Sequence, residues 1–117
     1  MELSLLVLKT HQPDQLRDFY QDLGLTFQEE QHGKGPVHFS TTIGQTVLEI
    51  YPLTKSVEKA DTSTRLGFRI SGLEQVIFQV KEKGRHILSE PQHQEWGFTA
   101  IVKDPDGRSI ELIENGI

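Results

Sequence analysis

Short apolar runs recur along this chain, and their spacing switches between the two periods that separate strands from helices. Leu3 to Lys9 is a strand-length run whose alternate sets are Leu6, Leu8, Thr10 and Leu5, Val7, Lys9, both apolar enough to predict burial on two faces. The period then changes. Leu16, Phe19, Tyr20 and Leu23 follow at i, i+3, i+4 and i+7, Pro13 suits the first turn, and Gly24 stands where a C-terminal cap belongs, which predicts a helix. From Leu25 to Tyr51 no helical period holds. Runs divided by His32-Gly33-Lys34-Gly35-Pro36 and by a tight turn at Ile43-Gly44 predict three antiparallel strands.

Pro52 to Ser63 has no apolar period and carries Lys55, Glu58, Lys59 and Asp61, as a solvated connector would. The pattern then repeats. Leu66, Phe68 and Ile70 alternate with Arg65, Gly67 and Arg69; Leu73, Val76, Ile77 and Val80 form a helical stripe with Ser71 and Glu74 at capping-box spacing; and Gly84 closes it. Strands are expected at His86 to Ser89, Gly97 to Lys103 and Arg108 to Ile113, the last two joined by Asp104-Pro105-Asp106-Gly107. Shifting the first half by 60 positions sets Leu6, Leu8, Tyr20 and Gly24 on Leu66, Phe68, Val80 and Gly84. A duplicated βαβββ unit follows: an α+β domain over residues 1–117, with units at 1–52 and 64–117, a connector at 53–63, and helices outside the sheets.

Composition narrows the function classes. Seventeen acidic residues against twelve basic ones give a net charge of −5 with no basic stripe, which disfavours a nucleic-acid partner. The absence of cysteine excludes disulfides, zinc-thiolate sites and a thiol nucleophile. The N-terminal apolar run follows Glu2 and is too short for a signal core or a membrane span, so a soluble, cytoplasmic protein without a membrane partner is expected.

Asp18-Phe19-Tyr20 with Leu23-Gly24 in one half, and Asp104-Pro105-Asp106-Gly107 followed by Ile110-Glu111-Leu112 in the other, resemble the vicinal oxygen chelate superfamily of glyoxalases, bleomycin-resistance proteins and extradiol dioxygenases. The resemblance covers essentially the whole chain. It implies two units forming a cupped, mostly antiparallel eight-strand sheet, a homodimer as the default assembly, and a divalent metal held from the first and last strand of each unit. Carried over residue by residue, those positions are Leu5, Glu49, Arg65 and Glu111. Leucine has no donor and guanidinium only donates, so the family's ligand set is broken.

Glu49 and Glu111 share inward parity, and a buried carboxylate needs a counter-charge, which Arg65 would supply in the interior. Reading Ile43-Gly44 as the hairpin turn places His38 directly across from Glu49, so His38 with Glu49 and Glu111 is the alternative, a metal set. Tyr51 shares the parity of Glu49, and Trp96 falls in a loop that either closes over the cavity or covers the core edge. Two readings stand. One is a binder of a small polar or zwitterionic molecule using His38, Tyr51, Arg65 and Trp96, with no cofactor. The other is a metal-dependent lyase, isomerase or dioxygenase using Glu49, Glu111 and His38. A third, duller one is an interaction module whose cavity is filled by side chains.

Overall fold

The computed structural model describes residues 1–54, 56 and 59–116, so Lys55 and Glu58 of the expected connector lie outside the described residues. The elements run β1 (Leu5–Thr10), α1 (Pro13–Asp22), β2 (Gln28–Glu30), β3 (His38–Ile43), β4 (Thr46–Pro52), β5 (Leu66–Ile70), α2 (Leu73–Glu82), β6 (Ile87–Gln94), β7 (Gly97–Lys103) and β8 (Ser109–Glu114). The strands form two mixed four-stranded sheets with the same order, β1-β4-β3-β2 and β5-β8-β7-β6. In each, the first strand runs parallel to the fourth and the other neighbours are antiparallel. The chain divides into two compact units, one of Met1–Gln21 with Leu25–Asp61 and the other of Asp22–Gly24 with the chain from Thr62 onward. Among the described residues no helix is long and apolar enough to cross a membrane.

In the first unit, Leu16, Phe19 and Tyr20 of α1 are buried, as are Leu8, Phe39, Leu48 and Ile50 of the sheet. The guanidinium of Arg17 lies 4.5 Å over the Phe39 ring, which puts α1 on that face. The helix covers one face only, so Leu5 and Lys9 are exposed while Leu8 and Thr10 are buried, and the expectation of two buried faces on β1 fails. The second unit packs α2 on β6, β7 and β8, with Leu73, Ile77 and Val80 buried beside Ala100, Val102, Ile110 and Leu112.

The capping box expected at Ser71 and Glu74 does not form: Gly72, at φ 76°, precedes the helix without a side-chain cap of its own. A carboxylate from β8 replaces it. Glu114 accepts hydrogen bonds from the amides of Gly72 and Leu73 at 2.9 and 3.1 Å, satisfying donors that helix geometry leaves open. The first unit solves the same problem differently. Proline 13 has no N–H to satisfy, and the Thr10 hydroxyl accepts the Gln12 amide at 3.1 Å.

Two other expectations shift. The strand expected at His86 to Ser89 runs on to Gln94 through Pro91, which the edge position of β6 and its irregular register against β7 accommodate. The β3–β4 turn is Gly44-Gln45, with Ile43 opposite Thr46, so Glu49 faces Ser40 and not His38. The Asp104-Pro105-Asp106-Gly107 turn forms as expected and is stapled from inside. Asp104 Oδ1 accepts the amides of Asp106 and Arg108, both at 2.9 Å, while Oδ2 takes Arg108 Nη1 at 3.1 Å. Burial pulls the Arg108 pKa down, but hydrogen bonds and charge from Asp104 and Asp106 outweigh it and leave it raised.

Replacing Glu114 by Ala is expected to cost about 1–2 kcal/mol in denaturant unfolding, whereas Ser71→Ala stays within about 0.5 kcal/mol. Equal losses for the two would place the cap at Ser71 after all. Asp104→Ala removes the acceptor of two turn amides and one of the two carboxylates on the buried Arg108, leaving Asp106 at 3.0 Å, so a loss of about 2–4 kcal/mol is expected from the same measurement.

Candidate functional site

His38 opens β3 with its side chain 1% exposed, although imidazole is a polar ring. Its cover is aromatic: the Tyr51 ring stacks on it at 4.1 Å with 9° between planes, and the His32 ring lies 5.1 Å away. Its Nδ1 is 3.2 Å from the Pro36 carbonyl oxygen, which can only accept, so Nδ1 carries a proton. In the neutral ring Nε2 therefore presents its lone pair. Around that lone pair converge the Tyr51 hydroxyl, which donates to it at 3.3 Å, Glu30 Oε1 at 3.4 Å and Glu49 Oε2 at 3.7 Å.

The strands explain the convergence. Glu30 of β2 pairs with His38 in the ladder, and Ser40, two residues on from His38, faces Glu49. Glu49 and Tyr51 alternate with the buried Leu48 and Ile50, which turns them to the face that carries His38. The correction to the hairpin register is two residues, an even number, so His38 keeps the face expected of it while its opposite partner changes. Glycine 33, at φ 57°, and a hydrogen bond from the Gly35 amide to the His32 carbonyl bend the β2–β3 loop back, holding His32 beside this face. His32 Nε2 lies 4.0 Å from Glu30 Oε1.

Partial burial and the charges of Glu49 and Glu30 raise the Tyr51 pKa above that of an ordinary phenol. The whole group is thus a negative field at one end of a sheet, with an aromatic floor.

The remaining expected residues lie in the second unit. Arg65 immediately precedes β5 and is exposed rather than buried with a carboxylate, so the interior counter-charge expected of it is absent. Glu111 is half-buried on β8 beside Gly67 and Ile101. Trp96 falls between strands as expected, as the second residue of the tight Glu95-Trp96 turn joining β6 to β7, and is 58% exposed, so it does not cover the core edge. A groove of about 430 Å³ between α2 and β6 is lined mainly by Ile77, Phe78, Pro91 and Phe98, and the Lys81–Glu90 ion pair bridges it at 2.6 Å. Of the four positions that would hold the family's metal, the exposed apolar Leu5 and the exposed guanidinium of Arg65 offer no lone pair, so a metal does not fit that set.

Glu30 is the member of the cluster that the sequence reading missed. Its acidic neighbour Glu29 and the polar loop after it look like a solvated turn, and only the β2–β3 pairing brings it to His38.

Comparison with known proteins agrees with the duplicated fold. The profile of the Glyoxalase/Bleomycin resistance protein/Dioxygenase superfamily matches residues 3–112, and the chain belongs to that superfamily. Solved structures similar to it include TnmS3, an antibiotic binding protein from Streptomyces sp. CB03234, at 21% identity and TM-score 0.77, covering 99% of this chain and 97% of that one. The oxidase ChaP-H2 is similar at 17% identity and TM-score 0.78, covering 99% and 94%. A glyoxalase/bleomycin resistance protein/dioxygenase family enzyme from Burkholderia phytofirmans PsJN is similar at 16% identity and TM-score 0.73, covering 96% and 97%. No curated protein matches the chain by sequence. At these identities the structures share its fold, which hosts both binders and catalysts.

Glu49→Gln removes one of the two charges acting on Tyr51, so its phenol is expected to titrate at lower pH in the variant than in the wild type, followed by ultraviolet difference absorbance. An unchanged titration would mean that Glu49 does not act on the ring.

Proposed function

We propose that this protein is a small-molecule binder of the glyoxalase and bleomycin-resistance type, and that its first unit captures a polar or zwitterionic ligand by a cationic amine. The observation that carries the reading is the convergence of Glu30 and Glu49 on one buried imidazole. Within that unit, among the described residues, neither carboxylate is paired with a lysine or arginine. An ammonium group would supply the missing charge, donating to Glu49 while its face contacts the Tyr51 ring through a cation–π interaction. The stacked His38 and Tyr51 rings form a flat, rigid floor for it. A fold shared with an antibiotic binding protein supports the binding of a small molecule, and the carboxylates alone point to an amine.

The probe is metal-free bleomycin, a cationic antibiotic, beside a panel of primary amines and of carboxylates of matched size, titrated calorimetrically in EDTA. Saturable binding of bleomycin or a panel amine is expected, weakened about tenfold by Glu49→Gln, the loss of one charge-assisted contact. Heat from the carboxylates alone, or affinity unmoved by Glu49→Gln, would overturn the proposal.

A further inference from the structure

We infer that Glu30, His32 and His38 form a site for a divalent transition metal, on strands β2 and β3 and the loop between them. These are not the positions that the family resemblance implies. One ligand atom from each residue can be chosen so that all three lie within 4.8 Å of one another. Metal–ligand bonds of about 2.0–2.2 Å place neighbouring ligands roughly 3–3.5 Å apart. Glu30 Oε1 and His38 Nε2 already stand at 3.4 Å, and Glu30 Oε1 and His32 Nε2 at 4.0 Å. The His32 side chain is 75% exposed, so its ring can turn the remaining distance without disturbing packing.

Three independent features point to a metal. The first is donor chemistry: two imidazoles and one carboxylate suit zinc, iron(II), cobalt or nickel, and are a poor set for calcium or magnesium, which favour all-oxygen shells. The second is orientation. A ligating histidine characteristically donates its other N–H to a carbonyl or carboxylate, and His38 does so to Pro36 at 3.2 Å, which turns the Nε2 lone pair toward Glu30. The third is charge. With both imidazoles neutral, Glu30 and Glu49 carry two negative charges, which a divalent ion balances, and Glu49 Oε2 at 3.7 Å from His38 Nε2 lies within reach as a further ligand. The Tyr51 hydroxyl is the competitor, since it donates to the same lone pair.

This site does not rest on the amine reading. Both draw on Glu30 and Glu49, so an ion and an ammonium compete for the same charge; the metal alone needs His32, and the amine alone needs the Tyr51 ring.

The test uses tag-free protein, stripped with EDTA and dialysed, titrated with cobalt(II) by visible absorption and with zinc by calorimetry. One equivalent of each is expected, with a cobalt spectrum of nitrogen and oxygen ligands. His32→Ala, at an exposed position, is expected to keep the wild-type circular dichroism and Tm and to weaken both metals by about tenfold or more, while Glu30→Gln does the same. Absence of saturable binding in the wild type, or equal affinity in His32→Ala, would overturn the inference. Metal binding lost in His32→Ala with bleomycin or amine binding in EDTA intact would separate this site from the ligand site; loss of the amine alone would leave the metal site standing.

Discussion

When Ile43 pairs with Thr46 across the Gly44-Gln45 turn, the polar side chains that β3 and β4 contribute to the first unit's cluster are sent to one side of the sheet. Glycine 44, at φ 59°, lets the chain reverse in two residues, and the ladder does the rest. His38, Glu49 and Tyr51 come to one face, while Phe39, Leu48 and Ile50 go to the face under α1. A slip of β4 by one residue would bury Glu49 and Tyr51 under the helix and turn Leu48 and Ile50 outward, so the hydrophobic face enforces the register that assembles the polar one. The binding chemistry is in this sense a by-product of core packing, imposed by a strand period of two.

The two units keep the same architecture and carry different chemistry. Each places a glutamate on its fourth strand, Glu49 beside Val7 and Glu111 beside Gly67. Among the described residues, only the first surrounds its carboxylate with a histidine, a tyrosine and a second glutamate. The second unit invests polar groups in shape: the buried Asp104 and Arg108 lock a turn, and the half-buried Glu114 starts a helix. The Asp-Pro-Asp-Gly stretch that helps to mark the family is therefore a structural staple in this chain.

Much of the fold was legible because period and punctuation agree. Leu16, Phe19, Tyr20 and Gly24 announce the first helix, and Leu73, Ile77, Val80 and Gly84 the second, with the two helices spanning Pro13–Asp22 and Leu73–Glu82 in register with each other. What escaped was decided by pairing across the sheets. Nothing local to Ser71 and Glu74 says that Glu114 will reach the amides first, and nothing around Pro91 says that an edge strand will tolerate it. The site was half legible for the same reason. His38, Glu49 and Tyr51 show themselves by parity, whereas Glu30 joins them only through the β2–β3 ladder, and Arg65 falls just before its strand where parity no longer governs direction.

The Glu114 cap has a bearing on the order in which the second unit takes shape. Its two hydrogen bonds join residues about forty positions apart, so the start of α2 is completed only once β8 has taken its place beside β5. A helix of ten residues is too short to persist alone in water, and here even its first turn waits on a strand made after it. The cap therefore ties the first turn of the helix to the parallel strand pair, so fraying of one end of α2 and loosening of β8 from β5 are coupled events.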